Sequence, residues 1–237
     1  MASLGQKRAC QDRAPAEDGR WEDANGTVRD DVQEETDIRT FDAAQRLFRD
    51  DNHIILGSPR ANSFTEAVVS RIYGATPRRP RELDKFPYGF MWDSYREIPS
   101  AFGCRSRGAA CGVYSTASRK VVAPYREVER GTGTDAAIVL VRFMYANRST
   151  SHYADRDRRV LIALLGYGGL GTYGAARAVV DPDMMRGMYP PRPEDLHKVS
   201  GVPNWPPLMR PLRIEYTREP ARNGYDNRVF QSVSFAE

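Results

Sequence analysis

Histidine, cysteine and lysine are all scarce in this chain of 237 residues. The three histidines (His53, His152, His197) and three cysteines (Cys10, Cys104, Cys111) show no zinc-ligand spacing, so no metal site is expected. An odd number of cysteines argues against a disulfide framework and for a reducing, cytoplasmic setting. Only Cys104 and Cys111 are close enough in sequence to approach one another locally. Long apolar runs are missing as well. The longest, residues 136–141 and 160–165, fall far short of the roughly 18 residues a membrane helix needs, and no membrane partner is expected. Lys7 and Arg8 have no apolar stretch behind them, which speaks against a signal peptide.

Lysine occurs only at Lys7, Lys85, Lys120 and Lys198, so arginine carries almost all of the 35 basic charges. Such usage reflects codon composition as readily as phosphate recognition. The net charge of +4 is unevenly spread: the first forty residues hold 6 basic and 10 acidic side chains, a net of −4. Residues 1–38 lack an apolar period and read as a disordered, solvated acidic leader. A disordered segment also accounts for the modest apolar fraction of 41%. The remaining residues, 39–237, are enough for a single domain with a full core.

That domain reads as α/β. Thr40 caps a short helix with Phe41, Ala44, Leu47 and Phe48 on one face, and Asp50, Asp51 and Asn52 end it. Residues 53–56 are a short apolar strand followed by the loop Gly57-Ser58-Pro59-Arg60-Ala61-Asn62. Ser63 and Glu66 have capping-box spacing, and Phe64, Val68 and Ile72 form the apolar stripe of the next helix. Arg78-Arg79-Pro80-Arg81 reads as a solvated basic turn, and nucleic-acid binding is not expected from it. The aromatic stretch 83–98 reads as an irregular loop packed on the core. Residues 112–115 and 120–124 read as two short strands around a polar turn, an antiparallel excursion from the α/β plan. Residues 130–134, with two glycines, read as a loop ended by Asp135, and residues 136–144 as a central strand. His152, in the polar connection that follows, reads as a surface residue. Near the end, residues 212–217 and 229–235 alternate apolar with polar on either side of Asn223-Gly224, the pattern of an antiparallel hairpin.

The stretch with most chemical content is residues 159–180, RVLIALLGYGGLGTYGAARAVV. It reads as a buried strand, a glycine-rich turn at Gly166, Gly168, Gly169 and Gly171, and a helix kept slim by Gly174, Ala175, Ala176 and Ala178. Thr172 is placed to cap that helix. Backbone amides at a helix start, unobstructed by side chains, suit a phosphate or carboxylate. The glycine spacing matches the dinucleotide fingerprint, but the acid expected about 20 residues further on is missing. No Gly-Lys-Ser/Thr follows, which excludes a P-loop. Asp181-Pro182 opens a further short helix whose apolar side is Met184, Met185 and Met188.

Gly168-Gly169-Leu170-Gly171-Thr172 resembles the GGxGT motif of Rossmann-like nucleotide-handling families related to LOG-type phosphoribohydrolases. Those families place an early strand and loop, often with Gly-Ser, beside the motif; Gly57-Ser58 would correspond. Their motif continues to a glutamate three residues after the threonine, where this chain has Ala175. The resemblance covers about fifteen residues and implies a nucleotide-like ligand without the hydrolytic acid.

The expectation is therefore a three-layer, Rossmann-like α/β domain with a mostly parallel sheet and a C-terminal antiparallel hairpin. Its site is expected outside the carboxyl ends of the strands, between two loops. Gly57, Ser58, Arg60, Asn62, Gly168, Gly169, Gly171 and Thr172 are the candidate ligand-binding residues. The expected function is a non-catalytic sensor or binding domain for a small anionic, nucleotide-like ligand. One alternative is a hydrolase or transferase acting on an N-glycosidic or phosphoester bond. It has no catalytic set, and Asp135, Glu66 and His152 are candidates by residue type only. The other is a protein-interaction module with no small-molecule ligand. Cofactor identity is unknown at this level, and a protein partner or homo-oligomer is left open.

Overall fold

The computed structural model describes residues 52–60, 62–78, 80–92, 100–106, 110–145, 158–188, 207–219 and 227–236. The acidic leader, the amphipathic stretch of Phe41, Ala44, Leu47 and Phe48, His152, His197 and the proline-dense connection after Met188 lie outside them. In chain order the elements are β1 (His53–Leu56), α1 (Ser63–Ile72), a 3-10 helix (Pro80–Lys85), β2 (Tyr88–Trp92), β3 (Gly103–Arg105), β4 (Gly112–Ser115) and β5 (Lys120–Pro124). Then come β6 (Gly131–Tyr145), β7 (Arg158–Gly166), α2 (Gly169–Val180), α3 (Pro182–Met188), β8 (Leu208–Arg218) and β9 (Arg228–Phe235). No helix among the described residues is long and apolar enough to cross a membrane.

The strands form a five-stranded sheet in the order β1-β7-β6-β8-β9 and a four-stranded sheet in the order β3-β2-β4-β5. The content is mixed α/β, but the expected mostly parallel sheet is corrected. In the larger sheet only β1 and β7 run parallel; β6 is antiparallel to both β7 and β8, and β8 to β9. Continuous apolar runs such as residues 136–141 suggest parallel strands because those are covered on both faces. Here both faces are covered without parallel neighbours. Ala136, Ile138 and Leu140 share one core with Leu161, Ala163 and Leu165 of β7, Val68 and Val69 of α1, and Phe90 and Val113 of the smaller sheet. Ala137, Val139 and Val141 share another with Ala175 and Ala178 of α2, Met188 of α3, and Leu212 and Ile214 of β8. Burial on both faces, not strand direction, produces the run.

The antiparallel excursion at β4 and β5 forms as expected, joined at residues 116–119. The aromatic stretch before it is not an irregular loop throughout: residues 88–92 are β2, pairing antiparallel with β4 and parallel with β3. Phe86, Phe90 and Phe102 are fully buried and meet edge-on, with ring centroids 5.0 and 5.7 Å apart, the geometry aromatic quadrupoles favour. Gly89 and Gly103 let these strands close up; a Cβ on Gly103 would lie 2.1 Å from the Trp92 ring. The C-terminal hairpin pair β8 and β9 lies at the sheet edge, as its alternation predicts.

Candidate functional site

β1 and β7 are neighbouring parallel strands, with Leu56 in register with Leu164 and the Gly57 amide donating to the Leu164 carbonyl at 3.0 Å. Each strand runs into a loop and then a helix. α1 packs on the sheet face of Leu161, Ala163 and Leu165, and α2 on the opposite face with Leu164. Two parallel strands whose following helices leave to opposite sides make a crevice at their carboxyl ends. The 57–62 loop and the 166–172 turn, a hundred residues apart in sequence, thus stand at the same end of adjacent strands.

In the first loop Gly57 has φ +107°, open to glycine and strained for other residues. The Ser58 hydroxyl accepts from the Arg60 amide at 3.3 Å, and the Ser58 carbonyl from the Asn62 amide at 3.0 Å. Asn62 is the N-cap of α1: its Oδ1 accepts from the amides of Phe64 at 3.0 Å and Thr65 at 3.3 Å. This corrects the Ser63–Glu66 capping box. Asn62 competes better for the cap position, and Glu66 is turned inward. Asn62 therefore shapes the loop with its carboxamide, while Ser58 and Arg60 stand half-exposed at the mouth.

At the second turn the structure reveals a residue the glycine pattern does not announce. Asp135 is fully buried, within a strand and not at a loop end, because β6 begins at Gly131. Its residues 131–135 pair with β8, and Gly133 leaves room for the Tyr216 ring; a Cβ there would lie 2.4 Å from it. From β6 the Asp135 carboxylate reaches beneath the start of α2. Its Oδ1 accepts from its neighbour's amide at Ala136 (2.7 Å) and from Gly168 (3.1 Å), and its Oδ2 from Gly171 (2.7 Å). It does the work of an N-cap from another strand. Gly168, the cap residue by position, has no side chain to offer.

Thr172, expected to cap the helix, instead lies in its first turn, with its hydroxyl 3.5 Å from the Gly168 carbonyl. The glycines acquire individual reasons. A Cβ on Gly168 would stand 2.6 Å from Asp135 Oδ2, one on Gly171 2.4 Å from the Ala136 carbonyl, and one on Gly166 2.2 Å from the Thr172 nitrogen. Gly169 alone of the four is exposed, with nothing within 4 Å of its Cβ position. Two amides that an incoming phosphate would use, those of Gly168 and Gly171, are thus committed to Asp135. At α1 the Phe64 and Thr65 amides are likewise committed, to Asn62, so the exposed Gly169 end of α2 is what the two helix starts leave open.

Burial pushes the Asp135 carboxyl above its ordinary range, opposed by its three amide donors and by the Arg228 charge. Beside it Tyr125 stacks on Tyr167 at 4.5 Å, the Tyr125 hydroxyl bonds Glu127, and Tyr216 bonds the Arg126 carbonyl. Glu66 is the second buried carboxylate. It accepts from the Ser100 hydroxyl (2.6 Å) and the amides of Ala101 (2.7 Å) and Arg78 (3.1 Å), and burial raises its pKa too. Both acids proposed by residue type for catalysis are therefore spent on backbone amides inside the fold. Ala175, where the resembled families have glutamate, is fully buried against the sheet. Cys111 carries a free thiol. No group of three or more metal-ligating side chains is found among the described residues. Compared with protein-family models, curated proteins and solved structures, the chain gives no match.

Proposed function

We propose that this protein is a binding domain for a small anionic, nucleotide-like ligand held in the crevice between the 57–62 loop and the 166–172 turn. The observation that carries this reading is the parallel β1–β7 pair, whose helices leave to opposite faces and bring both loops to one end. Helix starts there favour negative charge. Arg60 and the Ser58 hydroxyl would supply the directed polar contacts, and Gly169 the close backbone approach. Thr172 and Asn62 would hold the two loops in shape. In this reading the Rossmann-like character is local, confined to the one parallel pair within a largely antiparallel sheet.

The test is calorimetric titration with AMP, ADP, a pentose phosphate and inorganic phosphate, on the wild type and on Arg60→Ala. A charge-assisted contact is worth about 1.5–3 kcal/mol, so Arg60→Ala should weaken binding roughly 10- to 100-fold. Binding that ignores Arg60→Ala would displace the site from this crevice. No binding by any of the four would remove the anionic-ligand reading.

A further inference from the structure

Tyr167 lies inside the glycine turn, and its ring packs on the α1 side of the sheet, against the core that includes Phe90 and Leu165. Tyr125 lies over it, with ring centroids 4.5 Å apart and planes 28° from parallel. Tyr125 belongs to neither hydrophobic core and is half-buried, so the stack has a packed inner ring and a wet outer one. The outer ring is firmly anchored. Its amide donates to the Cys111 carbonyl at 2.8 Å. Pro124 and Arg126 on either side of it are tied to Thr134 of β6, the first by the Thr134 hydroxyl (2.8 Å) and the second by paired backbone bonds (2.9 and 3.0 Å). The Tyr125 hydroxyl donates to Glu127 at 3.1 Å, and Glu127 is in turn paired with Arg218 at 3.1 Å. A ring held this way loses little freedom when a second flat group is laid on it.

The 57–62 loop stands at the same end of the sheet and leads into α1, on the same face as the two rings. It follows β1, whereas Tyr125 is fastened beside β6. The order β1-β7-β6 puts two strand spacings between them, about 10 Å. A nucleoside 5′-phosphate covers such a span from its phosphorus to the far ring of its base, and a pentose phosphate does not. Building on the crevice reading above, we propose that the ligand is a nucleotide whose base stacks on the outer face of Tyr125 while its phosphate meets Arg60 and Ser58. Stacking is tolerant of base identity, because every base has a π-face. Tyr125 therefore selects nucleotides over sugar phosphates, not one base over another.

The test is calorimetric titration of the full chain with AMP and with ribose 5-phosphate, on wild type, Tyr125→Ala, Tyr125→Phe and Arg60→Ala. Wild type should bind AMP roughly 5- to 150-fold more tightly than ribose 5-phosphate, the worth of one base–aromatic stack. Tyr125→Ala should bring AMP down to the ribose 5-phosphate level and leave ribose 5-phosphate unchanged, which also shows that the variant is folded. Tyr125→Phe keeps the ring without the Glu127 bond and should keep the preference for AMP. Arg60→Ala should weaken both ligands alike and preserve their ratio. Equal affinities in wild type, or a preference that survives Tyr125→Ala, would overturn the stack, even where the Arg60 effect upholds the crevice. A preference that Tyr125→Ala abolishes and Arg60→Ala leaves at full strength would uphold the stack and overturn the crevice reading. Binding of neither ligand would overturn both. Tyr125→Leu takes the place of the alanine variant should that one not fold.

Discussion

Removing the Asp135 side chain should unfasten the start of α2. In Asp135→Ala the amides of Ala136, Gly168 and Gly171 lose their acceptor together. A buried donor left unsatisfied costs about 1–3 kcal/mol. The full sum will not be felt, because the buried charge and its desolvation disappear with the side chain. Taking the usual range for breaking one partner of a buried charged interaction, the cost is about 3–5 kcal/mol. For a domain of this size that is a fall in Tm of roughly 6–20 °C, at about 2–4 °C per kcal/mol. Asp135→Asn separates geometry from charge. Its Oδ1 can still accept from Ala136 and Gly168, but its amide nitrogen would face the Gly171 N–H where Oδ2 now sits at 2.7 Å. A cost of about 1–3 kcal/mol is expected, below that of alanine. Urea unfolding followed by circular dichroism measures both. An alanine variant within about 0.5 kcal/mol of wild type, the usual band for surface changes, would refute the cap. So would an asparagine variant less stable than the alanine one.

The glycines of the turn provide a paired comparison by the same unfolding assay. Gly168→Ala should cost about 1–3 kcal/mol, because its Cβ would overlap the Asp135 carboxylate. Gly169→Ala should be neutral or stabilising by up to about 1 kcal/mol, since its Cβ meets open space. Glu66→Ala should cost about 3–5 kcal/mol, with faster amide exchange at Arg78 and Ala101, whose N–H groups it holds. The two buried carboxyls also set a pH dependence. Both are raised in the folded state by burial, so each binds its proton more tightly folded than unfolded. Their contribution to stability is complete below the ordinary carboxylate values of 4.5 and 3.8 and is lost as pH rises through the folded values. Urea midpoints of wild type and Glu66→Gln between pH 4 and 8 should show the wild-type advantage shrinking as pH rises; an advantage that grows would contradict the assignment.

Local chemistry was legible in the sequence wherever partners are near neighbours. The turn between β4 and β5, the Asp181 cap of α3 and the alternation of β8 and β9 all rest on contacts of a few residues or on a period of two. Asp181 Oδ1 accepts from the amides of Asp183 and Met184, as cap chemistry predicts. The two loops of the candidate site were also legible as strand-loop-helix units, and their shared end follows from the β1–β7 pairing. What the sequence concealed is long-range. Thr172 stands where a local cap would be sought, yet the capping oxygens come from a residue 36 positions away. Gly131-Thr132-Gly133-Thr134 reads as a loop because glycine is a poor strand former, whereas its reason is the Tyr216 ring lying across Gly133. The direction of β6 is invisible in its apolar run, since both faces are buried whichever way its neighbours point.

Capping α2 from β6 has a kinetic consequence. A helix with its own capping side chain can be nucleated locally, ahead of the rest of the fold. α2 lacks one, and glycines occupy its first and third positions, which makes it a poor isolated helix. Its first turn becomes fully bonded only when β6 and β7 have paired, because that pairing carries Asp135 to the glycine amides. Helix and hairpin should therefore consolidate as one cooperative unit, with α2 arriving late in folding and protected from exchange as well as the strands beneath it.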